Sequence, residues 1–443
     1  KNCAVYVDDL GGWGGSGLDK DHPLRTITDA VNFIKKVPEG NDYNTIYIRG
    51  GTYNDETFPW VFDGETYKKS INIQGGWNFD FSSDLPGIWP AVINLKGITN
   101  ALSVKSANAL ITGLEMNGGS GFHPPIVVNN MASTNYKVSV LNNVFHDNLA
   151  KNASALVVLS SGTNEAFVRN NTFYKNSGAD GPVLYLDGNI TANNNLFYNN
   201  VTASSIQCDN GSYVYNNFFL SEKVSRVALL TGQCTFMNNT LARNAINPGD
   251  GNGVVVIFSG MLNIVNNNII AYNTGGIPVV NKGEIGSAYQ YNAFFNNGVD
   301  VSPLGNNYVC DPKFVLSSLA DMTDPKSHKL GAGSNCIDKA LKAPTVTDDY
   351  FGALRPLDGD GDGETKYDPG AFEAAAVALM TPAVSELKAT PTAFTVAADG
   401  SAHTKISFNI NVTSKITIEV YDMSGKLVNK LWDAKDALPE AQT

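Results

Sequence analysis

The sequence is poor in charge. Only 16% of its 443 residues are Asp, Glu, Lys or Arg, so most of a folded surface must be neutral and polar. The charge present runs acidic, at a formal net −11. That excludes nucleic acid and anionic membrane as expected partners, because both select basic surfaces. No apolar run approaches the roughly 20 residues that cross a bilayer, so no membrane span is expected. Cysteine is scarce, at positions 3, 208, 234, 310 and 336. No CxxC spacing occurs, which argues against a thiolate zinc site. Cys310 and Cys336 lie in an irregular stretch and are the expected disulfide. Cys234 counts onto Ser212 of the preceding unit, not onto Cys208. The histidines are scattered without HxxxH spacing, and His146 reads as a surface turn residue. No GxSxG elbow and no P-loop occurs, so acyl and nucleotide chemistry lack their usual frames.

What the chain does have is a repeat. Between Val138 and Asn297 one phrase recurs: VSVLNNVF, FVRNNTFY, ITANNNLFY, YVYNNFFL, TFMNNTLA, NIVNNNII and YQYNAFF. The second Asn of each pair, single in the last copy, falls at 143, 171, 195, 217, 239, 268 and 292, in steps of 22 to 29 residues. Such a period marks a solenoid, whose units bury their apolar faces only against each other. The flanking residues are Val, Ile, Phe, Tyr and Thr in short runs, without helical spacing. Asn suits a tight bend because it tolerates the left-handed conformation. The expected fold is all-β, a right-handed parallel β-helix with a ladder of stacked Asn amides at a recurrent inner corner.

The flanks differ. Residues 1–60 read as an N-terminal cap: strand AVYVDD, a glycine-rich turn, then an amphipathic helix. Thr26 and Asp29 make its capping box, and Ile27, Ala30, Val31 and Ile34 share one face. Coils are expected over 61–306, with Thr112 and Gly113 standing where the Asn pair later sits. Residues 307–373 are rich in Gly, Pro and Asp and read as a C-terminal cap. An Ala-rich linker spans 374–383. From 384 to 443 the chain alternates as short strands, KATPTAFTVA among them, like an incomplete Ig-like β-sandwich of about 60 residues where about 100 is usual. Such a sandwich leaves an edge that another copy of the chain is expected to complete by strand addition, giving a filament or appendage.

The opening YVDD…HPLRTITDAV…TIYIRGGTY, with QGGW at Gln74–Trp77, resembles secreted β-helix proteins of the pectate-lyase-like superfamily. DPKF, GSNCIDKA, DYFGALRP and DPGAFE, between Asp311 and Glu373, resemble the C-terminal signature of choice-of-anchor Q surface proteins. The tail is similar to flagellar hook-capping domains and to type IX secretion sorting domains. This resemblance implies an extracellular or cell-surface β-helix, mostly without assigned chemistry. The first residue, Lys1, is consistent with a mature or trimmed secreted chain.

Three kinds of candidate site follow. Asp358, Asp360 and Asp362, with Gly363 sixth, match the start of an EF-hand loop, and the Glu364 carbonyl would be the seventh-position ligand. The twelfth position is Pro369, and Asp368 stands one residue early. Calcium is the expected ion; the alternative is a solvated acidic turn. Asp187 and Asp209 should stack on adjacent coils, and with Arg169 and Lys175 they could form the carboxylates and base of a polysaccharide lyase. Asp followed by Gly or Asn also starts a turn without any function. The pectin-hydrolase phrases NTD, GHG and RIK are absent, and a glycoside hydrolase would need two carboxylates flanking the scissile bond. Finally, stacked Tyr174, Tyr198, Tyr213, Tyr215 and Tyr272 suit carbohydrate binding. The leading expectation is a secreted, non-catalytic surface, adhesive or filament protein, with an acidic-polysaccharide lyase or hydrolase as the alternative.

Overall fold

The computed structural model describes residues 3–11, 14–39, 41, 43–131, 135–249, 251–258, 262–282, 288–298, 305–315, 322–377, 384–390, 405–410, 414–421, 424–437 and 441–442. Parts of the expected linker (378–383) and of the strand over 388–397 lie outside these residues. The chain divides into two units, residues 1–359 with 365–375, and residues 360–364 with 376–443.

The first unit is a right-handed parallel β-helix. Three parallel sheets run its length, of 11, 11 and 12 strands among the described residues. The first sheet runs from Ala4–Val7 to Ala288–Gln290, the second from Gly51–Tyr53 to Tyr308–Val309, and the third from Trp60–Asp63 to Ile277–Asn281. One coil shows the logic. Lys137–Leu141 lies in the first sheet, Val144–His146 in the second and Leu156–Ser160 in the third; Glu165–Arg169 then pairs beside Lys137–Leu141. Alternate residues point inward, and Val138, Val140, Phe145, Leu156 and Val158 are buried. Phe145, Phe173, Phe197 and Phe219 stack ring on ring inside, with centroids 5.1, 4.7 and 4.6 Å apart.

The asparagine pairs divide their labour. The first member is left-handed, from φ 52° at Asn238 to φ 59° at Asn267. The second member turns inward and is fully buried. There Asn143, Asn171, Asn195, Asn217, Asn239, Asn268 and Asn292 form a continuous ladder that ends on Asn307. Each Nδ2 donates to the Oδ1 of the next coil, at 2.9–3.1 Å. Each also donates to a main-chain carbonyl of the preceding coil, as Asn195 does to Val168 at 2.8 Å. Each Oδ1 accepts the main-chain N–H of the preceding coil. All four bonding directions of the amide are therefore used where water cannot enter. A second ladder, not read in the sequence, stands at the next corner: Asn148, Asn176, Asn200, Glu222, Asn244, Asn273 and Asn297.

The phase of the first repeat is corrected by one residue. Thr112 pairs with Leu141, so Gly113 and Leu114, not Thr112 and Gly113, occupy the places of Asn142 and Asn143.

Helix α1 (Ile27–Lys36) closes the N-terminal end. Thr26 caps it, accepting from the Asp29 N–H at 3.1 Å. Ile27, Ala30, Val31 and Ile34, the expected face, are buried in the core shared with the first coils.

The C-terminal cap folds back over the outside of the coils. Its disulfide joins Cys310 and Cys336; Cys3, Cys208 and Cys234 are free. The phrases DYFGALRP and DPGAFE build one buried knot. Arg355 donates to the carbonyls of Asp368 and Gly370 at 2.8 Å each and pairs with Glu373 at 3.1 Å. Asp349 accepts from the N–H groups of Phe351, Ala353 and Glu373. Burial raises the Glu373 carboxyl to about 8, Arg355 offsetting only part of the effect.

The second unit contains an antiparallel three-stranded sheet, Val384–Thr390 with Lys405–Ile410 and Ala441–Gln442, and a hairpin of Ser414–Tyr421 with Leu427–Ala437. Among its described residues Phe408 and Ile410 are buried.

Candidate functional site

The expected lyase constellation is not brought together. Asp187 and Asp209 do stack in register on the third sheet. Arg169, however, ends a strand of the first sheet, with its guanidinium 4.8 Å from the Phe167 ring. Lys175 is the left-handed residue of the turn after the second sheet, at φ 52°. The reason is topological: one coil passes through three faces, so residues close in sequence diverge to different sides. The carboxylates are instead held by neutral donors. Tyr185 donates to Asp209 at 2.7 Å, and Asn210 donates to Asp187 at 2.7 Å. Burial raises the Asp209 pKa.

The tyrosines are corrected too. Tyr213 and Tyr215 lie beneath the C-terminal cap, packed with Ala343, Val346 and Tyr367. Tyr272 packs on Phe295 and Phe314. Tyr174 and Tyr198 stack face to face at 4.9 Å, 5° from parallel. Tyr174 is thereby covered on both faces, by His146 and Tyr198, and a sugar needs a bare aromatic face.

The second sheet carries the group that sequence reading missed. His146 stacks on Tyr174 at 4.7 Å, 2° from parallel. Its Nε2 lies 3.1 Å from Glu115 Oε1 and its Nδ1 2.7 Å from Asp147 Oδ2. The imidazole is 13% exposed, against 26% for Glu115 and 58% for Asp147. Burial alone would lower the His146 pKa, but hydrogen bonds to Glu115 and Asp147 outweigh it and raise the pKa. Glu115 and Asn117 come from the preceding coil, 31 and 29 residues away, so no local motif announces the cluster. The usable signal was the register: His146 pairs with Asn117 and Tyr174.

Beside it is a cleft of about 380 Å³, lined by Pro86, Pro90, Glu115, Asn142, Asn170 and Thr172 among others. It opens between the loop before Ala91–Asn94 and the turns at Asn142 and Asn170.

The acidic run falls across the division of the chain. Asp358 belongs to the first unit, and Asp360, Asp362 and Glu364 to the second. Within the second, the Asp362 N–H donates to Asp360 at 3.0 Å and the Glu364 N–H to Asp362 at 2.8 Å. Asp368 is turned into the cap. Its oxygens accept from the N–H groups of Asp338 and Ala374, at 2.6 Å each, and it is 1% exposed.

No protein-family model matches the chain, and no curated protein matches it. Among solved structures, the chain is similar to pectate lyase Pel9A at 15% identity and a TM-score of 0.48, over 84% of this chain and 96% of that one. The likeness is one of fold, and no residue role is transferred from it.

Proposed function

We propose that the chain is a secreted, non-catalytic β-helix protein of the extracellular surface, with the solenoid as a rigid scaffold. The observation that carries this reading is the dispersal of Asp187 and Asp209, Arg169 and Lys175 to different faces. A lyase needs its base and its charge-neutralising groups around one sugar. The test is incubation with acidic and neutral polysaccharides, with and without calcium, following ultraviolet absorbance of unsaturated uronides and release of reducing ends. No product is expected; turnover that survives purification overturns the reading.

A second reading, polysaccharide cleavage on the second sheet, is favoured by Glu115, His146 and Asp147 beside the cleft. It requires His146→Ala to abolish product while the fold is kept. Self-association through the second unit is supported by its exposed Leu387, Val428 and Leu431. Light scattering tests it, and a monomer at all concentrations removes it. Calcium at Asp358, Asp360 and Asp362 rests on the alternation of their carboxylates. Asp368, engaged in the cap, is left out of that proposal.

A further inference from the structure

The first residue of each Asn pair faces outward, so the coils carry an external track of carboxamides, one rung about every 4.8 Å. Four rungs are occupied by the chain's own cap. Asn194 Nδ2 donates to the Tyr350 carbonyl at 3.4 Å, Asn216 to Asp348 at 2.6 Å and Asn238 to Asp368 at 3.1 Å. Asn267 donates to the Leu341 carbonyl and accepts from the Leu341 N–H, at 2.8 Å each. Every acceptor on the cap is a main-chain carbonyl. The track therefore grips polypeptide by its backbone and asks nothing of the side chains.

On the N-terminal side the equivalent place is Gly113 (φ 71°), and Pro86 lies against it. Between these covers stand Asn142 and Asn170. Both are left-handed at φ 55° and exposed. Among the described residues, neither carboxamide has a hydrogen-bond partner. Both line the 380 Å³ cleft, with Pro86 and Pro90 as its wall.

We propose that this two-rung gap docks an extended peptide segment of a partner chain. Its main-chain carbonyls would accept from Asn142 and Asn170 as the cap's carbonyls accept from the later rungs. Sugar hydroxyls can accept the same bonds, but each filled rung holds a peptide carbonyl. This inference stands apart from whether the chain is catalytic.

The probe is a labelled synthetic peptide of residues 345–352, the cap's own rung-binding stretch, titrated into the full chain and followed by fluorescence anisotropy. Saturable binding is expected. The double variant Asn142→Gly/Asn170→Gly keeps the left-handed turns and removes both donors. It should bind about ten-fold more weakly or worse, with an unchanged thermal midpoint confirming the fold. Three results overturn the proposal: no saturable binding, binding that depends on Asn194 and Asn216 instead, or displacement of the peptide by a neutral oligosaccharide such as cellopentaose with the same dependence on Asn142 and Asn170.

Discussion

Glu222 is the rung that breaks the rule of its ladder. It is fully buried where the neighbouring coils place Asn200 and Asn244. Its Oε1 accepts from the Asn200 N–H and Nδ2 at 3.0 and 2.9 Å, and Ser205 donates to its Oε2. A carboxylate has no N–H to pass to the next coil, so Asn244 receives only the Glu222 main chain. Burial raises the carboxyl from 4.5 to about 7. A group whose folded pKa is raised binds its proton more tightly when folded. Its contribution is therefore complete below pH 4.5 and is lost as pH rises towards about 7. Glu222→Gln restores the amide. It should stabilise the chain by up to about 3 kcal/mol at pH 8 and by little at pH 4. Urea melts at the two values check this; equal effects at both would contradict it. Reading the second ladder from sequence failed at this scale because its members sit in unlike contexts, HDN at Asn148, YKN at Asn176 and SE at Glu222. The first ladder was legible because its Asn pairs sit in near-constant phrases. His146 was misread as a turn residue for another reason: its carboxylate partner Glu115 is a coil away, and single-sequence reading of a turn sees only neighbours.

At the scale of the element, each ladder is a row of bonds that fails locally when one rung is removed. Asn217 donates to Asn239, Ala192 and Tyr215 and accepts from the Asn195 N–H and Nδ2. Asn217→Ala leaves several of these buried groups without partners. At about 1–3 kcal/mol per unsatisfied group, a loss of roughly 3 kcal/mol or more is expected. The exposed Asn170→Gly, one residue from the same ladder, should change stability by about 0.5 kcal/mol or less. Paired urea melts separate the two. The C-terminal knot behaves the same way. Arg355→Ala strips the partner from buried Glu373 and from two carbonyls, and a loss of about 3–5 kcal/mol is expected, measured by the same melts. The cap phrases stand together in the sequence, but their purpose is not visible there. The structure supplies the physical reason: Asp349, Arg355, Asp368 and Glu373 bond across 24 residues to one another's backbone, a pattern whose members mean little singly.

For the whole molecule, stacking makes the solenoid legible and site chemistry obscure. Inward residues repeat because each coil meets the same neighbours, so period and face could be read from Val, Phe and Asn. Outward residues owe nothing to the repeat, and three faces per coil scatter them. That is why Asp187 and Asp209 were placed correctly relative to each other and wrongly relative to Arg169 and Lys175. Calcium belongs at this scale as well. If Asp358, Asp360 and Asp362 hold the ion, millimolar calcium should raise the thermal midpoint and a chelator reverse it. Asp360→Asn should abolish the difference. A midpoint indifferent to calcium would remove the ion from the account.

The claim beneath all of this is that buried amides at the coil corners tie each turn of chain to the next. Hydrogen–deuterium exchange reads it directly at the main-chain N–H groups of Asn143, Asn171, Asn195, Asn217, Asn239 and Asn268, which donate into the neighbouring rung. These amides should exchange as slowly as those of the inward strand residues, and Asn217→Ala should speed exchange at Asn195, which loses its acceptor. Exchange at all six as fast as at an exposed loop would contradict the account.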